Sequence, residues 1–265
     1  MSASGGGTIV PAVLRAGAIL DALAEGEGRP LSVSELARQV GVPKSSTANL
    51  CASLEEAGLI ARGPAGGYLL GRKLAVLGGR YLSTVNQVTE FYQQCRTLER
   101  ISRETARVAV LEGLDVLYLA RYDGAAPLRL TANIGDRFPA TCTATGKALL
   151  ATLDPAVVRD RLSGVSALPR LTERSLATIP QLMDELARVR ELGYAVDDEE
   201  TTAGVLCLSM PVGRFKTERA PFAVSVTLLK ARADEATREA MLGELAHLVD
   251  SLNNPMQPPW DTPHA

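Results

Sequence analysis

The residues of this chain that could do covalent chemistry are few and badly placed for it. Cys51, Cys95, Cys142 and Cys207 stand far apart with no CxxC pair, and only His247 and His264 could share a metal or assist a thiol. This pattern predicts no metal site. A thiol attacks only as thiolate, beside a base or in a positive field. Cys207 lies in an apolar stretch, and the one histidine away from the loose C-terminal tail, His247, lies on a helical segment with Leu248 and Leu252. HExxH, GxSxG and GxGxxG are absent, and Gly146-Lys147 lacks both the upstream glycine and the following Ser or Thr of a phosphate loop. The expectation is a protein that is not an enzyme and carries no cofactor. An enzyme with Cys207 as nucleophile is the rival from another class, and the sequence gives it no base.

Recognition fits the polar residues better. In the segment after Pro43, Thr47, Leu50, Cys51 and Leu54 recur at helical spacing and predict a buried stripe. The other side of that helix carries Lys44, Ser45, Ser46, Ala48, Asn49 and Ser53. An ordinary solvated face is rich in Glu and Lys, whereas this one is short, polar and almost uncharged, as close approach to a DNA major groove requires. Glu55 and Glu56 come only at its far end, before Gly58.

The elements that must hold this face are legible around it. A helix is predicted over residues 11–24, with Val13, Leu14, Ala18, Ile19 and Leu23 inward, ending at a Gly-rich stop. Ser32-Val33-Ser34-Glu35 reads as a capping box opening a helix to Val40, Gly41 supplies the turn, and Pro43 leads into the next helix. Ser34 and Arg62 complete the expected DNA-contacting set. Residues 59–62 and 68–70 flank Gly63-Pro64-Ala65-Gly66-Gly67 as a hairpin, the wing of a winged helix-turn-helix. A plain three-helix bundle that contacts protein instead of DNA remains open on this pattern.

The chain has 265 residues, 46% hydrophobic and 22% charged, which excludes disordered, collagen-like and disulfide-scaffold classes and suggests two packed units. At 4% aromatic it offers little ring surface for stacking nucleobases, and a net charge of −2 leaves any nucleic-acid contact to a local patch. No apolar run is long enough for a membrane span, and the opening residues do not suit a secretory signal. We expect a cytoplasmic protein with reduced thiols and no membrane partner.

We divide the chain into a DNA-binding domain at residues 9–71, a helical linker at 72–103 broken near 84–87, and a sensing domain at 104–254. In the last, strands are expected at 106–111, 116–122, 128–131, 194–196, 205–212 and 223–229, and helices near 145–153, 155–162, 180–192 and 235–252. The pattern is α+β with an antiparallel sheet. Ala144-Thr145-Gly146 at a helix start presents amides at the positive end of the helix dipole, suited to an anion. Ser225 and Thr227 share one face of a strand, and Asp197 and Cys207 are further polar candidates for a ligand pocket. Core packing is the alternative for Cys207, and Glu200 is a weaker candidate, since a buried acid there reads more readily as a structural acceptor.

Several blocks together resemble the IclR family of bacterial transcription regulators. They are Leu31-Ser32-Val33-Ser34-Glu35-Leu36-Ala37, Gly41-Val42-Pro43-Lys44-Ser45, Leu54-Glu55-Glu56-Ala57-Gly58-Leu59-Ile60, Thr143-Ala144-Thr145-Gly146-Lys147-Ala148-Leu149-Leu150, and Gly193-Tyr194-Ala195-Val196-Asp197-Asp198-Glu199-Glu200 with Gly204 to Cys207. The resemblance spans about residues 9–253. It implies a winged helix-turn-helix joined to a GAF-like effector-binding domain, a double-stranded DNA operator, and a repressor controlled by a small organic acid. It further implies effector contacts at positions such as Asp197, Cys207, Ser225 and Thr227. This chain departs from the family's pattern at Ala48 and Asn49, where an aromatic or His followed by Arg is usual, and at Gly213 and Arg214. Asn favours adenine where Arg favours guanine, so a changed base preference or weaker binding follows.

Up to Lys73 the bases Arg15, Arg29, Arg38, Lys44, Arg62, Arg72 and Lys73 barely exceed the acids Asp21, Glu25, Glu27, Glu35, Glu55 and Glu56. One copy would neutralise few phosphates and bind weakly, so a homodimer or tetramer on a repeated site is expected. Leu74, Leu77, Tyr81 and Leu82 are the candidate pairing surface, with packing on the chain's own first helix as the alternative.

Overall fold

Capping and close backbone approach set most boundaries of the fold. The computed structural model describes residues 10–26, 28–64, 66–83, 86–125, 132–212 and 222–253, and the chain divides into two units, residues 1–84 and 85–265. In the first unit α1 (Pro11–Glu25) starts on its proline, whose missing N–H is no loss in a first turn. A capping box opens α2 (Val33–Val40): the Ser32 hydroxyl accepts from the Glu35 amide, and the Glu35 carboxylate accepts from the Ser32 amide at 2.8 Å. Gly41, at φ 68°, takes the left-handed conformation that reverses the chain into α3 (Lys44–Glu56). Strands β1 (Ile60–Arg62) and β2 (Tyr68–Leu70) pair antiparallel as the wing, with Leu31 bridging to Tyr68. Ile19, Leu23, Leu31, Leu36, Cys51, Leu54, Ile60 and Tyr68 form the core.

Two expectations for this unit need correction. Val13 and Leu14 are 67% and 64% exposed rather than inward, because the first turns of α1 run past a core small enough to be filled by Ile19, Ala22 and Leu23. Leu50 is half-buried, so the stripe of α3 rests on Thr47, Cys51 and Leu54. The expected linker is two helices, α4 (Arg72–Ser83) and α5 (Asn86–Thr97). Leu74 is half-buried and Leu77 exposed; the side chains of Tyr81 and Leu82 lie outside the described residues.

The second unit is built on a six-stranded antiparallel sheet. Its strands are β3 (Thr105–Glu112), β4 (Asp115–Asp123), β5 (Arg137–Pro139), β6 (Ala195–Asp198), β7 (Val205–Val212) and β8 (Phe222–Leu229), in the order β5-β4-β3-β8-β7-β6. The remaining helices are α6 (Ala144–Ala151), α7 (Pro155–Arg161), α8 (Ile179–Leu192) and α9 (Glu235–Asn253). One core joins Ala109, Tyr118, Ala195 and Ala223 of the sheet to α6, α7 and α8 through Leu149, Leu150, Val158, Leu182 and Leu186. The alternate residues Val224, Val226, Leu228, Leu206 and Leu208 are buried too, and α9 packs on β7 and β8 and against α5. The unit is therefore α+β, as expected. Residues 128–131, expected as a strand, and Gly213 and Arg214 lie outside the described residues. The short β5, with its proline, was not foreseen, and β6 starts one residue later than expected, after the left-handed Gly193 that ends α8.

Candidate functional site

Two places bring together the polar residues singled out above, one in each unit. On α3, Lys44, Ser45, Asn49 and Ser53 are exposed, while Ser46 and Ala48 are half-buried at the side of the helix. The side chains of Lys44, Ser45 and Asn49 have no hydrogen-bond or ion-pair partner among the described residues. The Ser53 hydroxyl donates back to the Asn49 carbonyl at 3.0 Å. Thr47 explains how the helix is seated: its hydroxyl, fully buried, donates to the carbonyls of Val42 and Pro43 in the turn. Ser34 is exposed on α2. Arg62 is exposed but engaged by the wing and the end of α3, donating to the Tyr68 hydroxyl at 2.8 Å, lying over that ring, and pairing with Glu55 at 3.4 Å.

The second place is a cavity of about 90 Å³ between the start of α6 and the sheet. A single water needs roughly 10–15 Å³ by this measure, so the space suits a molecule of a few heavy atoms. Ala144, Thr145, Asp197, Cys207 and Ser225 all line it, with Arg107, Tyr118, Phe138 and Val205. The sheet register explains the convergence. Asp197 on β6 pairs with Cys207 on β7, Cys207 with Thr227 on β8, and Ser225 with Arg107 on β3, so all five side chains stand on one face.

Gly146 and Thr227 are not on the cavity wall. A Cβ on Gly146 would lie 2.2 Å from Ala140 Cα, so the glycine is what lets α6 press against the preceding turn. Thr227 is fully buried and accepts from Arg107 Nη1 at 2.9 Å, with its hydroxyl 3.4 Å from Cys207 Sγ. At the helix start the Gly146 amide is taken by the Thr143 hydroxyl at 3.0 Å. The amides of Ala144 and Thr145 keep no partner among the described residues, and the Thr145 hydroxyl shares a hydrogen bond with that of Tyr118 at 3.1 Å.

Electrostatics in the cavity follow from burial. Asp197 is 2% exposed, and burial, reinforced by the charge of Glu200, pushes its carboxyl up to about 7. Its Oδ1 accepts from the amides of Glu200 and Thr201, and its Oδ2 from the Thr201 hydroxyl, which winds residues 197–201 around it. Cys207 sits deep enough that burial and the nearby Asp197 push its thiol up to about 12, far from a nucleophile. Lys147 does not line the cavity. It is buried in ion pairs with Glu200 and, at 3.7 Å, Glu185. Glu200 is thus an acceptor of structure, its pKa raised by burial against the pull of Lys147.

Arg107 is the residue the sequence reading missed. It is 3% exposed, donates from Nε to the Ala132 carbonyl at 3.2 Å, and burial lowers its pKa from the usual arginine value. The only available signal was a cation inside the β-rich run from Thr105 to Leu111; alternation puts it on the strand face opposite Ala106, Val108 and Val110, which reads as outward, whereas both faces of the strand are buried here. Among the described residues no group of three or more His, Cys, Asp or Glu could hold a metal, and no helix is long and apolar enough to cross a membrane.

A winged helix-turn-helix unit and an α+β unit with a small polar-lined cavity are the two parts of a DNA-binding transcription regulator. Residues 12–64 match the IclR helix-turn-helix domain and residues 79–254 the bacterial transcriptional regulator IclR C-terminal domain. The chain belongs to the IclR family. It is 34% identical over 246 residues to the HTH-type transcriptional regulator KdgR of Escherichia coli, covering 91% of this chain and 92% of that one. The repressor BlcR of Agobacterium tumefaciens is similar in structure with TM-score 0.57 at 32% identity, over 93% of this chain and 97% of that one. An IclR homolog of Microbacterium hydrocarbonoxydans, solved in complex with 4-hydroxybenzoate, shares the fold with TM-score 0.77 at 22% identity, over 92% and 98%.

Proposed function

We propose that this chain is a cytoplasmic transcriptional repressor that binds a double-stranded DNA operator through α3 and the wing and is controlled by a small organic acid held in the C-terminal cavity. The observation that carries the reading is the α3 face: Lys44, Ser45 and Asn49 stand exposed and unpartnered, and no acid follows them before Glu55. In this reading Lys44 and Ser45 meet phosphates, Asn49 reads an adenine edge, and Ser34, Ser46, Ala48, Ser53 and Arg62 frame the contact. Ala144, Thr145, Asp197, Cys207 and Ser225 contact the effector, with Gly146 and Thr227 behind them. Residues 9–71, 72–103 and 104–254 serve as reader, linker and sensor. The repressor sign and an acid effector are supported by the relatives, one a repressor and one holding a carboxylate.

The protein works as a homodimer or tetramer. Val10 just before α1, Val13 and Leu14 in it, and Val76 and Leu77 of α4 are exposed apolar surface, and a nearly neutral reader needs two copies to gain affinity. Effector binding shifts the arrangement of the readers through its differential affinity for two states. The test is selection of genomic fragments on the purified protein near physiological salt. A recurrent palindromic or direct-repeat site is expected; no enrichment from a folded, oligomeric sample overturns the DNA assignment and leaves a reader that contacts protein.

A further inference from the structure

We propose that Arg107 is the anchor of the cavity, pairing with the carboxylate of a small aliphatic monocarboxylic acid while the Ser225 hydroxyl and the free amides of Ala144 and Thr145 take its remaining oxygen lone pairs. This rests on the reading that the cavity is the effector site.

Charge accounting is the first support. A guanidinium removed from water needs a counter-charge, and a buried one without it is costly. Among its described residues the second unit buries two cations. Lys147 has Glu200 and Glu185. Arg107 has no ion pair among the described residues: its hydrogen-bond partners are the Ala132 carbonyl and the Thr227 hydroxyl, its guanidinium lies over the Tyr118 ring at 5.7 Å, all of them neutral, and Nη2 has no hydrogen-bond partner. The cavity that Arg107 itself lines is an adjacent space for the missing anion.

Independent features favour an anion in the same space. Ser225, directly opposite Arg107 in the β3–β8 register, is buried, and its hydroxyl forms no hydrogen bond among the described residues. Ala144 and Thr145 bring unpartnered amides to the same wall at the positive end of α6. The acid on the wall, Asp197, has its oxygens turned to its own loop by Glu200 and Thr201. Ala132, Phe138 and Val205 leave an apolar surface for a short carbon chain. A planar, forked donor is the side chain that matches a carboxylate in two hydrogen bonds.

The experiment uses the full chain with lactate, 2-hydroxybutyrate and butyrate against their primary amides, read by calorimetric titration and thermal shift. Carboxylates should bind the wild-type protein about 10- to 100-fold more tightly than the amides, the range of a charge-assisted hydrogen bond. Arg107→Met should abolish that preference while melting, without ligand, at or above the wild-type temperature, because it removes an uncompensated charge; a merely structural arginine would lower it. Arg107→Lys, which keeps the charge without the fork, should retain a weakened preference and guards against a misfolded Met variant. Equal binding of acids and amides, a preference that survives in Arg107→Met, or no binding of any acid at millimolar concentration overturns the proposal. Val205→Trp, which fills the cavity, separates the two readings. If acids and amides bind equally to the wild type but not to this variant, the cavity remains the effector site and only the anchor falls. If acids still bind the filled variant, both fall.

Discussion

The two candidate sites solve opposite problems. On α3 the polar groups are outside, drawn from one helix, and left without partners so that an incoming base edge or phosphate can supply them. In the cavity they are inside, drawn from α6, β3, β6, β7 and β8, and packed so that Asp197 and Thr227 are satisfied by the protein while Arg107 Nη2 is not. Water fills the vacancies of an exposed face at little cost, whereas an unpartnered polar atom in a core is expensive. The contrast teaches where to look in each unit: on the surface for uncharged side chains that leave room, in the interior for the polar group that the protein itself leaves unmatched.

The largest effect tests the interior. Replacing Lys147 by Met leaves Glu200 buried without its cation, and the second unit should lose about 3–5 kcal/mol in denaturant unfolding. A loss under about 1 kcal/mol would mean that the pair is effectively solvated. Gly146→Ala comes next, because its Cβ would meet the Ala140 backbone at 2.2 Å; about 1–3 kcal/mol should go from the second unit, with the melting of the first unchanged.

These interior features also show what the sequence could and could not display. The reader was legible almost entirely, because a capping box, a turn glycine and a helix face are local patterns within about thirty residues of each other. The exposed Val13 and Leu14 were misjudged because helical periodicity marks an apolar stripe without saying how far the core beneath it extends. In the second unit the strands and helices were legible, and five of the seven expected contacts, Ala144, Thr145, Asp197, Cys207 and Ser225, line one cavity. Arg107 was not legible, since its neighbours Ala132, Thr227 and Ser225 come from far along the chain and meet it only through sheet register.

Asp197 sharpens the comparison through pH. Its carboxyl titrates near 7 in the folded chain against 3.8 ordinarily, so between those values the folded state holds a proton that the unfolded state has released. Stability contributed by this group is therefore greatest in acid and falls as pH rises from about 4 to 7, by up to about 1.4 kcal/mol per unit. Asp197→Asn, which keeps an acceptor for the Glu200 and Thr201 amides, should flatten that slope in denaturant titrations; an unchanged profile would place the titration elsewhere.

Smaller effects belong to the exposed face. Asn49→Ala should alter binding by about 1–3 kcal/mol at one base position of the selected site and little on other sequences. Lys44→Ala should weaken binding on all sequences alike and lower the salt slope by about 1. Neither should move the melting temperature, since both side chains lack partners in the free protein.

The central claim is that an uncharged, unpartnered helix face reads DNA sequence. Its most direct measurement is the affinity of the wild-type chain for the fragment recovered by selection against a shuffled version, by fluorescence anisotropy at fixed near-physiological salt. The account predicts at least about a thousandfold preference for the recovered site, the lower end for specific binders. Equal affinity for the two would contradict it.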